Sequence, residues 1–121
     1  MEVEHVALAV SDLAAAKRFY CDGIGLDVLR TFTSDNGIEN MYVGTSTGGS
    51  LQLREDPESD EVPTPAGIQH VAVAVDDVEA AFERVTAVEE GRVIKEPGVG
   101  HSAQVAFLAD PDGYEVELIE R

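Results

Sequence analysis

The stretch His5-Val6-Ala7-Leu8-Ala9-Val10-Ser11-Asp12-Leu13 returns 65 residues later, from position 5 to position 70, as His70-Val71-Ala72-Val73-Ala74-Val75-Asp76-Asp77-Val78. The same offset pairs Ala15 with Ala80 and Ala16 with Ala81, so the likeness runs out of a strand and into a helix. In the first copy Val6, Leu8 and Val10 alternate with His5, Ala7 and Ala9, and in the second Val71, Val73 and Val75 alternate with His70, Ala72 and Ala74. Alternation with small or apolar residues at both phases predicts strands buried on both sides. Ser11 or Asp12, and Asp76 or Asp77, then offer N-caps for helices with apolar stripes Leu13, Ala16, Phe19, Tyr20 and Val78, Ala81, Phe82, Val85. Gly23, Gly25 and Gly91 are expected to end these helices.

Three shorter strands are expected after each helix, over residues 26–33, 40–44 and 51–54, then 92–95, 104–109 and 114–119. Thr47-Gly48-Gly49-Ser50, Pro97-Gly98-Val99-Gly100 and Asp110-Pro111-Asp112-Gly113 each fit a turn before a strand. Gly98 and Gly100 lack the G-x-G-x-x-G spacing and a following helix that a phosphate loop needs. The acidic, proline-rich run from Glu55 to Pro65 marks a linker. The fold class is therefore α+β, with two tandem β-α-β-β-β modules forming a cupped mixed sheet. One domain spans 1–121, with module 1 at 1–54, a linker at 55–66 and module 2 at 67–121.

Composition limits the partners. The 121 residues hold 24 acidic and 8 basic side chains, a net charge of −16, which argues against nucleic acid and anionic membrane as partners. No apolar run reaches the roughly 18 residues of a membrane helix, and the start Met1-Glu2-Val3-Glu4 lacks the basic region of a signal peptide. The one cysteine, Cys21, cannot form an internal disulfide and reads as a small packed residue. A cytoplasmic protein is expected, and the dispersed acids, whose mutual repulsion salt would screen, suggest a halophilic one.

Residue types that ligate metal recur with the repeat. His5 and His70 are joined at the same offset by Gln52 and Glu117, and within each module the spacing from histidine to Gln or Glu is 47 residues, from 5 to 52 and from 70 to 117. Alternation places Gln52 with Ser50 and Arg54, away from Leu51 and Leu53, and Glu117 with Glu115, away from Val116 and Leu118. Alanines beside each histidine leave room for a ligand. Two imidazoles, a carboxylate and an amide oxygen suit a divalent transition metal (Zn, Ni, Co, Fe or Mn) and leave an octahedral ion two positions for substrate oxygens. An amide cannot accept a proton, so Glu117 is the one general base of the set. Arg54, on the face of Gln52, is a candidate for gripping an anionic substrate, with Arg30 and Arg92 as further bases. His101 has no partner at the repeat offset and is given no role.

The paired modules, His5 and His70 opening them, Ser50-Leu51-Gln52-Leu53 and the closing run Asp110-Pro111-Asp112-Gly113-Tyr114-Glu115-Val116-Glu117-Leu118 together resemble the vicinal oxygen chelate superfamily over nearly the whole chain. That superfamily includes glyoxalase I, methylmalonyl-CoA epimerase, extradiol dioxygenases, fosfomycin-resistance proteins and bleomycin-binding proteins. The resemblance implies that His5, Gln52, His70 and Glu117 hold the metal and that a substrate with adjacent oxygens meets it while a carboxylate moves a proton. It also implies a homodimer, with sites between modules or between subunits.

The closing segment looks most like glyoxalase I, whereas the order His, Gln, His, Glu matches the epimerase pattern, since bacterial-type glyoxalase I has a glutamate where this chain has Gln52. Ala9 and Asp56 stand where glyoxalase I uses an arginine and an asparagine for glutathione. Alternatives are an extradiol dioxygenase built on His5, His70 and Glu117, a fosfomycin-type transferase with the same set, and a bleomycin-type drug-binding module without catalysis. Dependence on Fe(II) and oxygen would mark the first. The potassium-site and phosphonate-gripping bases of the second are not evident in this chain, and bleomycin-type modules generally lack the ligands it keeps.

Overall fold

The computed structural model describes residues 1–100 and 103–121, so His101 lies outside the described residues. The elements run β1 (His5–Ala9), α1 (Leu13–Lys17) continuing into a π-helical stretch (Arg18–Ile24), β2 (Asp27–Thr33), β3 (Glu39–Gly44) and β4 (Ser50–Glu55). They repeat as β5 (Val71–Val75), α2 (Val78–Ala87), β6 (Arg92–Val99), β7 (Gln104–Ala109) and β8 (Glu115–Glu120). Two four-stranded mixed sheets result, ordered β1-β4-β3-β2 and β5-β8-β7-β6. In each, the first strand pairs parallel with the last and the remaining pairs are antiparallel. No helix among the described residues is long and apolar enough to cross a membrane.

Repeat symmetry extends to the capping of the helices. Asp12 accepts from the Ala15 N–H at 3.1 Å and Asp77 from the Ala80 N–H at 3.1 Å, which selects the second candidate cap in each module. The Leu13 N–H donates to the Glu55 carboxylate at 2.6 Å, and the Val78 N–H to the Glu120 carboxylate at 3.0 Å. Positions 55 and 120 are again 65 apart. An anionic acceptor from the last strand thus satisfies a free donor at each helix start. This use of Glu55 keeps it in β4, one residue beyond the expected strand end.

The two modules share one core on their helical side. Leu8, Phe19, Tyr20, Leu53, Val78, Ala81, Val85, Leu108, Val116 and Leu118 are buried together. Phe19 and Tyr20 meet edge to face, with ring centroids 4.9 Å apart. Gly23 does not end the first helix. It lies within the π-helical stretch, where a Cβ would sit 3.1 Å from Val85 Cα, and the left-handed Gly25 (φ 104°) makes the cap. Burial in this helix pushes the Cys21 thiol pKa up, in keeping with a packed residue.

Two further expectations are corrected. His5, Ala7 and Ala9 are exposed, as are Ala72 and Ala74, so the opening strands bury one side only. On the valine and leucine phase Leu8 and Val10 are buried in the core and Val71, Val73 and Val75 pack half-buried against it, whereas Val6 is exposed and the alanine phase is open. Pro97-Gly98-Val99 also belongs to β6 rather than to a turn. Because β6 is an edge strand, proline breaks no ladder on its outer side, and the register shift between Lys95 and Gly98 absorbs it.

A polar tie joins the modules at the Asp110 turn. Asp110 is buried and accepts from the Tyr20 hydroxyl at 2.7 Å and from the N–H groups of Asp112 and Tyr114, each at 2.9 Å. The Tyr114 hydroxyl donates to the Ala9 carbonyl at 3.0 Å, while Asp112 accepts from the Ser11 N–H and hydroxyl. Desolvation raises the Asp110 pKa against the opposing pull of its donors. A raised folded-state pKa contributes stability below the unfolded value that is lost as pH rises through the folded one. Relative to wild type, Asp110→Asn should therefore gain stability as pH rises through the carboxylate range, and urea midpoints of the pair measured across that range check the sign.

Candidate metal and substrate site

Strand register decides which side chains share each inner face. In the first sheet His5, Ala7 and Ala9 stand opposite Ser50, Gln52 and Arg54, which in turn stand opposite Gly44, Tyr42 and Asn40. Tyr42 and Asn40 are opposite Arg30 and Phe32 on β2. In the second sheet Ala72 stands opposite Glu117, which stands opposite Phe107, itself opposite Lys95. His70 immediately precedes β5.

Each histidine ring meets an aromatic ring edge to face. His5 and Tyr42 have centroids 5.2 Å apart at 85°, and His70 and Phe107 have centroids 5.6 Å apart at 88°. Tyr42 and Phe107 are separated by the repeat offset, as are Arg30 and Lys95. The repeat therefore marks these residues in the sequence even though they are not metal-ligating types. His5 Nδ1 bonds to the Glu4 carboxylate, which leaves Nε2 as its second donor atom.

His70 Nε2 lies 3.4 Å from Glu117 Oε1. Two bonds of about 2.1 Å to one ion place their ligand atoms about 3.0–3.4 Å apart at octahedral to tetrahedral angles, so this pair fits a shared divalent ion. Gln52 donates through Nε2 to Asn40 Oδ1 at 2.9 Å, and Arg54 Nε donates to the same oxygen at 3.2 Å. Within one chain the four candidates fall on two sheets as pairs, His5 with Gln52 and His70 with Glu117. Among the described residues no group of three or more His, Cys, Asp or Glu side chains stands ready to hold an ion.

Charge on the inner face of the first sheet is opposite to that of the chain. Arg30 lies over the rings of Tyr42, at 4.6 Å from the centroid, and Phe32, at 5.2 Å. Neither Arg30 nor Arg54 is in an ion pair among the described residues, although acids outnumber bases by 24 to 8. Arg92 lies at the start of β6, away from this face. The edges of β1 and β5 line a cleft of about 450 Å³ that includes His5, Val6, Leu26, Val71 and Val73.

Residues 2–118 match the family model described as Glyoxalase/Bleomycin resistance protein/Dioxygenase superfamily. A probable lactoylglutathione lyase from Synechocystis is 32% identical over 96% of this chain and 92% of its own length. The lactoylglutathione lyase of Haemophilus influenzae is 34% identical over 99% and 93%. Glyoxalase I from Zea mays superposes with a TM-score of 0.87 at 31% identity, over 99% of this chain and 44% of the maize chain. An antibiotic binding protein from Streptomyces sp. CB03234, 24% identical with a TM-score of 0.74, shares the fold. With nearly every residue matched and the paired-module architecture in place, the chain belongs to the glyoxalase/bleomycin resistance protein/dioxygenase superfamily.

Proposed function

We propose that the protein is a divalent-metal-dependent lyase or isomerase of the glyoxalase I type, moving a proton within a small substrate that carries adjacent oxygens. The observation that carries this reading is the 3.4 Å approach of His70 to Glu117, with His5 and Gln52 at the equivalent positions of the other module. The relatives named lactoylglutathione lyase support the reaction class. His5, Gln52, His70 and Glu117 would hold the ion, whose donor set of two nitrogens and two oxygens suits Zn, Ni, Co, Fe or Mn. When bound, the ion draws electron density from the substrate oxygens and acidifies the neighbouring C–H.

The chain's own groups do the rest. Glu117 accepts that proton on a carboxylate oxygen and returns it to the adjacent carbon, which the Gln52 amide cannot do. Ala7, Ala9, Ala72 and Ala74 leave the inner faces open to a substrate. Arg54 and Arg30 offer an anionic substrate end a counter-charge that no acid among the described residues takes up. Gln52 favours a second reading, epimerisation of an acyl thioester. A panel of α-hydroxycarbonyl thiol adducts and epimerisable acyl thioesters separates the two by which is turned over.

The working unit in this proposal is a homodimer in which each site takes one pair of ligands from each chain. The separation of the pairs onto two sheets supports it, as do β2, exposed along its whole length, and exposed Val28, Leu29 and Phe32 on that strand. The acidic surface suits a high-salt cytoplasm. Metal analysis of untagged protein tests the ion. Near-stoichiometric transition metal is expected in wild type and is expected to be lost in His5→Ala and Glu117→Ala, whereas a wild-type protein that cannot be loaded overturns the reading. Mixing inactive Gln52→Ala and Glu117→Ala chains tests the pairing. Shared sites restore about a quarter of wild-type activity after random exchange, since half the dimers are mixed and each carries one intact site, while sites within one chain restore none.

A further inference from the structure

We infer that Asn40 is a positioning residue that turns the Gln52 amide so that its oxygen, not its nitrogen, faces the ion. This rests on the reading that Gln52 is one of the metal's ligands. An amide is an ambiguous ligand, because its two ends are nearly the same size and only the oxygen can coordinate. Something must hold the correct end outward.

The hydrogen bonds around Asn40 settle which end that is. Asn40 is buried, 2% exposed, and its Nδ2 donates to the Ile38 carbonyl at 3.0 Å. Arg54 Nε, which can only donate, approaches the other end of the amide at 3.2 Å and requires an oxygen there. A carbonyl at one end and a guanidinium at the other thus fix the orientation of Asn40. Its Oδ1 then takes a second donor, Gln52 Nε2, at 2.9 Å. With Nε2 occupied, the free end of Gln52 is Oε1, and no hydrogen bond holds it among the described residues.

The second module supplies an internal control. At the repeat offset Gln52 becomes Glu117, Asn40 becomes Val105 and Arg54 becomes Ile119. Val105 pairs with Ile119 across β7 and β8 as Asn40 pairs with Arg54 across β3 and β4. A carboxylate presents two equivalent oxygens and needs no orienting, and there the polar pair is replaced by an apolar one. The orienting pair is present where the ligand is an amide and absent where it is a carboxylate.

The test is the zinc and cobalt(II) affinity of the metal-free protein, read by competition with a chromophoric chelator. Asn40→Val, and the double variant Asn40→Val with Arg54→Ile that copies the second module's own pair, are expected to weaken binding about 10–100-fold. The same changes made together with Gln52→Glu are expected to leave affinity within about threefold of Gln52→Glu alone, since a carboxylate has no wrong end. Thermal unfolding of each variant shows whether the fold is kept, and the double variant provides a second packing solution if the single one unfolds. Wild-type affinity in folded Asn40→Val overturns the inference alone, and an equal loss in both backgrounds does the same by showing a merely structural role. A wild-type chain that binds neither ion overturns the metal reading and the inference with it.

Discussion

Replacing Glu117 with Gln is expected to lower kcat about 10²–10⁴-fold while the protein still carries metal, the size of loss usual for a removed general base. The argument is one of capacity rather than shape. Gln is nearly isosteric with Glu, keeps an oxygen that can face an ion, and in Gln52 already stands at the equivalent position of the first module. It removes the one group of the ligand set able to take a proton from carbon and give it back. The carboxylate is well placed for this, partly buried against Phe107 on the neighbouring strand and 3.4 Å from His70 Nε2. Metal content and turnover must be measured on the same sample. Full turnover with full metal would falsify the role given to Glu117, and loss of metal with loss of turnover would show that ligation and base catalysis are not separable at this residue.

Gly91→Ala is expected to destabilise the fold by about 3 kcal/mol, at the upper end of what overpacking costs. A Cβ at this position would lie 2.2 Å from the Ala109 carbonyl oxygen and 2.8 Å from the Phe19 ring. The first of these is backbone, so no rotamer change relieves it, and moving Ala109 disturbs the start of the Asp110 turn. That turn holds Tyr20 and, through Tyr114 and Asp112, the end of β1. The effect should therefore spread to both modules, and urea unfolding followed by two probes, one on each module, should show a single shifted transition. A change in the midpoint no larger than that of an exposed alanine substitution would mean that β6 and β7 part more easily than this packing allows.

The repeat made much of this protein legible in sequence. A fixed offset of 65 residues is a one-dimensional property, and period-two alternation is local, so the two modules, a helix start within Ser11–Asp12 and another within Asp76–Asp77, and the candidate ligands at 5, 52, 70 and 117 follow from the chain alone, while the hydrogen bonds of the fold select Asp12 and Asp77. The same offset carries Tyr42 with Phe107 and Arg30 with Lys95, whose positions beside the histidines could have been found in the same way. The burial of the opening strands was not legible, because alanine is compatible with a buried face and with an open one. Only the packing of Leu8, Val10, Val71, Val73 and Val75 against the shared core leaves the alanine side free.

Tertiary structure decided whatever depends on meetings between distant residues. Tyr20 finds Asp110 across 90 positions, and Gly91 is required because Ala109 and Phe19 converge on it. Asn40 acquires its role through the antiparallel register of β3 with β4, which sets it opposite Arg54 and diagonal to Gln52. Sequence could name the four proposed ligands, since residue chemistry and spacing are written in the chain. It could not show that each module closes as its own four-stranded sheet, or fix which end of an amide faces outward, because sheet boundaries and hydrogen-bond partners exist only once the strands have paired.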